Sequence, residues 1–216
     1  VAARWIRELV KGNTDESRLL VNVLRGRAAD PFDSYAYLQQ QRNESALPFI
    51  FFINLGKHSK FDKNISPDSV AFPRLINSLS DFAEMGIHPS YYVIKNNSLL
   101  ANEINQLSKL LGRSVVKSRQ HYLRLYFPDT YRLLIEHGIT EDYSMGYAAT
   151  PGFRAGTCSP FYWFDLKKNE QTALRVFPIT WMEGSFGEDL RMKPDVAWIK
   201  MKQLIDTVKK YNGHFI

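Results

Sequence analysis

At 216 residues and 44% hydrophobic content the chain can bury one sizeable core, and its length suits one large domain. The net charge of +6 is dispersed, densest at Lys57-His58-Lys60-Lys63 and at Lys200, Lys202, Lys209 and Lys210. That pattern excludes a basic block of the nucleic-acid type and leaves a weak preference for anionic partners. No apolar run approaches the ~18 residues of a membrane span, no signal peptide opens the chain, and one cysteine excludes an internal disulfide framework and fits a reducing, cytoplasmic compartment.

Residues 1–30 read as a peripheral helical segment. Trp5, Ile6, Leu9 and Val10 share a face that ends at Gly12, and Thr14 or Asp15 can cap a second helix through Leu19, Leu20, Val23 and Leu24. The stretch AADPFDSYAYLQQQRNES carries Asp30 and Asp33 into a Pro-initiated helix with an acidic first turn. Residues 48–55, PFIFFINL, form the clearest strand. A continuous apolar run of this length implies burial on both faces, as in a parallel sheet. A polar loop, GKHSKFDKNISPD, follows, with His58 read as solvated. Residues 72–84 then form an amphipathic helix facing inward through Phe72, Leu75, Ile76, Leu79, Phe82 and Ala83.

Gly86 is expected to end that helix and Ile87 to start a very short strand. This puts His88 at the carboxyl end of the strand, the edge where α/β folds bind ligands. A structural histidine and a ligand are both open readings of it. Residues 98–111 form a helix capped by Ser98 and stopped by Gly112. The next strand, VVKSRQHYLRL, places Arg119 and His121 two apart and so on one face. Pro128 opens a helix closed by Gly138, and Ile139–Ala148 and 174–183 are further strands, the last ending at Glu183. Residues 194–213 form a long helix with Val196, Ile199, Leu204, Ile205 and Val208 inward, and a strand is expected to start at GHFI. Strand and helix alternate about five times, which predicts parallel strands with helices outside: a distorted or incomplete (β/α) barrel, with no G-x-G-x-x-G or phosphate loop.

The stretch from Asp142 to Asp165 stands apart. Its glycines and prolines read as a loop system, and into it fall Arg154, the lone Cys158 and the aromatics Tyr143, Tyr147, Phe153, Phe161, Tyr162, Trp163 and Phe164. An anion or sugar-hydroxyl contact and a packed loop with a structural arginine are both open for Arg154. Cys158 reads as a buried small residue.

The series GIHPSY (86–91), SRQHYLRL (118–125), DYSMGYA (142–148) and GFRAGTCSPFYWFDL (152–166) resembles the polysaccharide deacetylase (NodB-homology) family, in a divergent bacterial branch, over roughly residues 31–216. The resemblance implies a distorted (β/α) barrel acting on an acetylated carbohydrate through a divalent metal, zinc foremost. In that family an early Asp-Asp pair supplies base and ligand, an H-x-x-x-H pair completes the metal site, an arginine motif orients the base and a late histidine acts as acid. Carried over, His88 matches the first metal histidine, with Tyr92 in place of the second. His121 is the replacement ligand, Arg119 the motif arginine and Arg154 a second pocket residue. Glu183 stands near the place of the late histidine. Tyr91, Tyr147, Phe153 and Trp163 are the substrate-binding aromatics. The Asp-Asp strand is expected before Pro48, which implies a first barrel strand before Val1 and a chain that is part of something longer. The alternative function is a carbohydrate-binding or scaffold barrel that has lost the metal.

Overall fold

The computed structural model describes residues 14–30, 33–182, 184 and 192–216. The first helix read from the sequence (Trp5 to Val10) and Glu183 lie outside the described residues. The chain divides into two compact units, 1–48 and 49–216, whereas the sequence reading places the start of the barrel domain at residue 31. In the first unit, α1 (Thr14–Leu24) buries Leu20 and Ser17, and α2 (Tyr35–Ser45) buries none of its residues and closes at Ala46 in a left-handed turn.

The second unit is an incomplete (β/α) barrel. In chain order its elements are β1 (Ile50–Ile53), α3 (Ala71–Ser80), β2 (Glu84–Ile87), α4 (Asn97–Leu111), β3 (Lys117–Ser118), α5 (Asp129–Glu136), β4 (Glu141–Asp142), β5 (Phe161–Asp165), β6 (Glu170–Val176) and α6 (Pro194–Lys210). The sheet order is β1-β2-β3-β4-β6-β5, with every pair parallel except β5–β6. Side chains alternate across it. Met85, Ile87, Leu174 and Val176 are buried in the core cluster with α3 (Phe72, Ile76, Leu79), α4 (Leu100, Ile104, Leu107) and α5 (Tyr131, Leu134). Phe52, Lys117, Tyr143, Arg175 and Phe177 belong to the opposite face, where Phe52 meets Tyr143 at 5.3 Å and Tyr143 stacks on Phe177 at 4.7 Å. Lys117 pairs there with Glu84 and Glu141.

Several expectations are corrected. Gly86 lies inside β2, not at a helix end. A Cβ at Gly86 would stand 2.6 Å from Phe52 Cε1 and 3.0 Å from the Lys117 carbonyl, so glycine is what lets the inner ring pass. Gly86→Ala is therefore expected to destabilise the fold by about 1–3 kcal/mol through overpacking. Chemical denaturation at unchanged m-value would show it, and wild-type stability in the variant would contradict the packing.

The α4 cap is Asn96, whose Oδ1 accepts from Leu99 N at 3.1 Å, while Ser98 only donates to that same oxygen. The strand expected across 115–125 is confined to Lys117–Ser118, and Tyr122 and Leu123 take positive φ (58° and 50°) and turn the chain. The end of the presumed loop system is strand β5. It forms a hairpin with β6 because Asp165 organises the connection: its Oδ1 accepts from Lys167 N (3.0 Å) and Lys168 N (3.3 Å), and Arg132 of α5 grips both of its oxygens at 2.6 and 2.9 Å. The strand expected over 174–183 is shifted to 170–176, and 214–216 form no strand. In α6 only Val208 is buried, and Val196 and Ile199 are exposed: a sequence pattern defines an apolar face, not a partner along its whole length.

Candidate functional site

The carboxyl ends of β1, β2 and β3 converge on a cleft of about 460 Å³ lined by Phe52, His88, Arg119, His121, Tyr122 and Met182, among others. His88 directly follows β2, and its own amide continues the ladder by donating to the Ile53 carbonyl (2.8 Å). Arg119 N in turn donates to the Ile87 carbonyl (3.0 Å). His121 sits past β3 in the turn that Tyr122 and Leu123 bend. The two imidazoles therefore meet, their ring centres 4.8 Å apart.

Hydrogen bonding fixes the tautomer of both rings. His88 Nδ1 lies 2.6 Å from the Arg119 carbonyl, which only accepts, so Nδ1 carries the proton and Nε2 is bare. Burial, then the neighbouring His121, pushes the His88 pKa down to about 4, so this ring is neutral at physiological pH. His121 Nδ1 lies 3.0 Å from Asp62 Oδ1 and donates to it.

Asp62 has no counterpart in the sequence reading. It lies in the polar loop after β1, is 1% exposed, and is saturated with donors: Tyr91 N (3.0 Å), His121 Nδ1 (3.0 Å) and Asn54 Nδ2 (3.3 Å) on Oδ1, and Ser59 Oγ (3.0 Å) on Oδ2. Burial alone would raise its pKa, but the bonds from Tyr91, Ser59, Asn54 and His121 outweigh it and hold the carboxyl below its usual range. Ser59 shapes the loop by also accepting from Asp62 N (3.0 Å) and Phe61 N (3.2 Å). A serine three residues ahead of an aspartate in a polar loop is the local signal for this turn.

An aromatic wall adjoins the histidines. Tyr91 stacks on Phe61 at 3.8 Å, the Arg124 guanidinium covers Tyr91 at 4.0 Å, and Tyr122 lies edge-on to both rings. Tyr92 and Tyr122 are about half exposed (49% and 54%), and Tyr122 stands 4.6 Å from the His121 ring. Tyr91 thus falls at the site. The other three expected aromatics do not line the cleft: Tyr147 is exposed, Phe153 lines a separate cavity of about 380 Å³ with Cys158 and Tyr211, and Trp163 is packed in the core against Tyr131. Arg154 spans loops, donating from Nη1 to the carbonyls of Gly146 (3.1 Å) and Leu123 (3.3 Å), and so braces the bent turn after His121. Asp142, in the motif at 142–148, is buried on the helix side, where Ser118, Ser144 and Tyr131 satisfy it.

As a metal centre, the donor set is two imidazoles whose Nδ1 atoms are placed on oxygen acceptors, the usual preparation of ligating histidines. Open catalytic zinc sites take about three protein ligands. Among the described residues no group of three or more His, Cys, Asp or Glu is arranged to hold an ion, and the Asp62 carboxylate is spent on its donors. The described residues do not fit a complete metal site.

Architecture and cleft define an incomplete (β/α) barrel with a histidine–carboxylate site at the carboxyl rim of its strands. Among solved structures it is similar to the crystal structure of a putative polysaccharide deacetylase from Mycobacterium smegmatis, with a TM-score of 0.61 and 16% identity over 86% of this chain. The chain spans 62% of that neighbour's length. At this identity the likeness establishes a deacetylase-like fold. No family model and no curated protein matches the sequence.

Proposed function

We propose that the barrel is a hydrolase that removes acyl groups, acetyl foremost, from a carbohydrate, with His121 as general base. The observation that carries this is the bond from His121 Nδ1 to the buried Asp62, which leaves Nε2 as the acceptor in a cleft shared with His88 and Arg119. In the reaction His121 Nε2 takes a proton from a water as its oxygen attacks the acyl carbonyl. Asp62 stabilises the imidazolium that forms. The Arg119 guanidinium offsets the negative charge on the tetrahedral oxygen. The bare Nε2 of neutral His88 accepts a hydrogen bond from the same water. As the carbon–oxygen or carbon–nitrogen bond to the sugar breaks, the imidazolium returns its proton to the leaving atom, and acetate departs. The exposed Tyr92 and Tyr122 supply apolar faces of the kind that pack on sugar rings.

Zinc, implied by the family resemblance, would be held by the Nε2 atoms of His88 and His121, and would polarise the acyl carbonyl. The described residues supply no third ligand, so the steps above are written without it. Elemental analysis of the purified protein beside acetate release from acetylated chito- and xylo-oligosaccharides tests both points. Release abolished in His121→Ala supports the hydrolase, and stoichiometric zinc lost in His88→Ala and His121→Ala would restore the metal route. A well-folded wild type that releases no acetate but binds the oligosaccharides would replace this reading with a carbohydrate-binding barrel. That second reading is favoured by Tyr92 at the second histidine position.

A further inference from the structure

We propose that Glu103 is a positioning residue for the histidine pair, acting with Asp62 as a two-carboxyl clamp on the turn that follows His88. The inference rests on the reading of His88 and His121 as the working groups of the cleft.

The turn is His88-Pro89-Ser90-Tyr91. Proline has no N–H, so Ser90 and Tyr91 offer the first two amides after His88. Each goes to a different buried carboxyl: Ser90 N donates to Glu103 Oε2 at 2.9 Å and Tyr91 N donates to Asp62 Oδ1 at 3.0 Å. One carboxyl comes from the loop after β1, the other from the middle of α4, and they are 1% and 3% exposed. On the other side Gly56 closes against the turn, where a Cβ would come within 2.5 Å of Ser90 Cβ and 3.2 Å of Asp62 Cγ. The segment between His88 and Tyr91 is therefore held from three sides. The carboxylate that holds its far end is the one that orients His121.

Glu103 is out of place as packing. It lies beside Leu100, Ile104 and Leu107 on the buried stripe of α4, where a leucine would bury at a gain and a carboxyl group at a cost. Its Oε1 has no partner among the described residues, so its visible return is the bonding to Ser90, from the backbone amide and the side chain. Burial raises the pKa of this carboxyl and the charge of Asp62 raises it further, against the bond from Ser90, which favours the neutral acid. A neutral acceptor of the same shape should then serve as well, which makes glutamine the informative replacement.

The test is the imidazole long-range ¹H–¹⁵N spectrum of wild type, Glu103→Gln and Glu103→Leu at neutral pH, with hydrolysis of p-nitrophenyl acetate measured in parallel. The wild type should show both histidines protonated at Nδ1. Glu103→Gln should keep that spectrum and the wild-type kcat. Glu103→Leu, with native far-ultraviolet circular dichroism, should show His88 as a mixture of tautomers, with kcat lower by up to on the order of 10²-fold and KM little changed. An unaltered histidine spectrum in folded Glu103→Leu would overturn the clamp, and so would loss of the Nδ1–H tautomer in Glu103→Gln, which decides the matter if the leucine variant does not fold. The spectra need no substrate: a wild type without esterase activity would count against the hydrolase, and the clamp would still be judged on the tautomers.

Discussion

Asp62→Asn is expected to lower acyl hydrolysis by on the order of 10²–10⁴-fold, the range over which a positioned general base acts. The carboxylate accepts from four groups, and a carboxamide cannot reproduce this: its NH₂ has to face one of the donors. If it faces His121, Nδ1 must become the acceptor and Nε2 takes the proton, which removes the base from the cleft. Asp62→Ala should instead cost stability, about 3–5 kcal/mol, because Tyr91 N, Ser59, Asn54 and His121 lose a buried partner together. Initial rates with an acetylated oligosaccharide, read beside urea unfolding, separate the two effects. Asp62→Asn with near wild-type rates would remove His121 from the role of base.

Acidification should unfold the protein through His88. Its pKa is about 4 in the folded protein against 6.5 for the free side chain. Between those values the unfolded chain binds a proton that the folded one refuses. Stability is therefore fully present above pH 6.5 and falls as pH drops toward 4, by up to about 3 kcal/mol. Asp62, held below its usual range, works in the same direction at still lower pH: its contribution is lost as pH falls through its folded value. Unfolding free energies of wild type and His88→Gln at several pH values between 7.5 and 4 provide the check. The variant should have the flatter profile, and parallel profiles would show that His88 titrates alike in both states.

The barrel was legible in the chain because its signals are local. The run at 50–53, the stripes of α3, α4 and α5, and the order of strands and helices each need only neighbouring residues to be read. His88, Arg119 and His121 stood out for the same reason, since strand ends are where ligands bind in such folds, and the structure brings them to one cleft. Asp62 was not, because its meaning comes from His121, 59 positions further on, and nothing within its own loop points there. Glu103 was hidden differently. On a helical stripe it reads as an ordinary polar interruption, and its burial follows from Ser90 on another element. Strand β5 was obscured by the glycines and prolines before it, while its signal lay after it, in the turn that Asp165 closes around Lys167 and Lys168. Arg154 was read from the motif around it, which says nothing of the two carbonyls, of Gly146 and Leu123, that its Nη1 reaches on other segments.

The rings on the inner face of the sheet bear on how a polymer would be handled. Phe52, Tyr143 and Phe177 follow one another at 5.3 and 4.7 Å, and Phe52 also lines the cleft. The face of the sheet beneath the cleft is therefore occupied by packed rings. A long substrate would lie across the rim, with either end free to run past the site. Such a surface can act at internal units of a polymer and release it after each event, so the expected product pattern is scattered modification along the chain, without processive runs from one end.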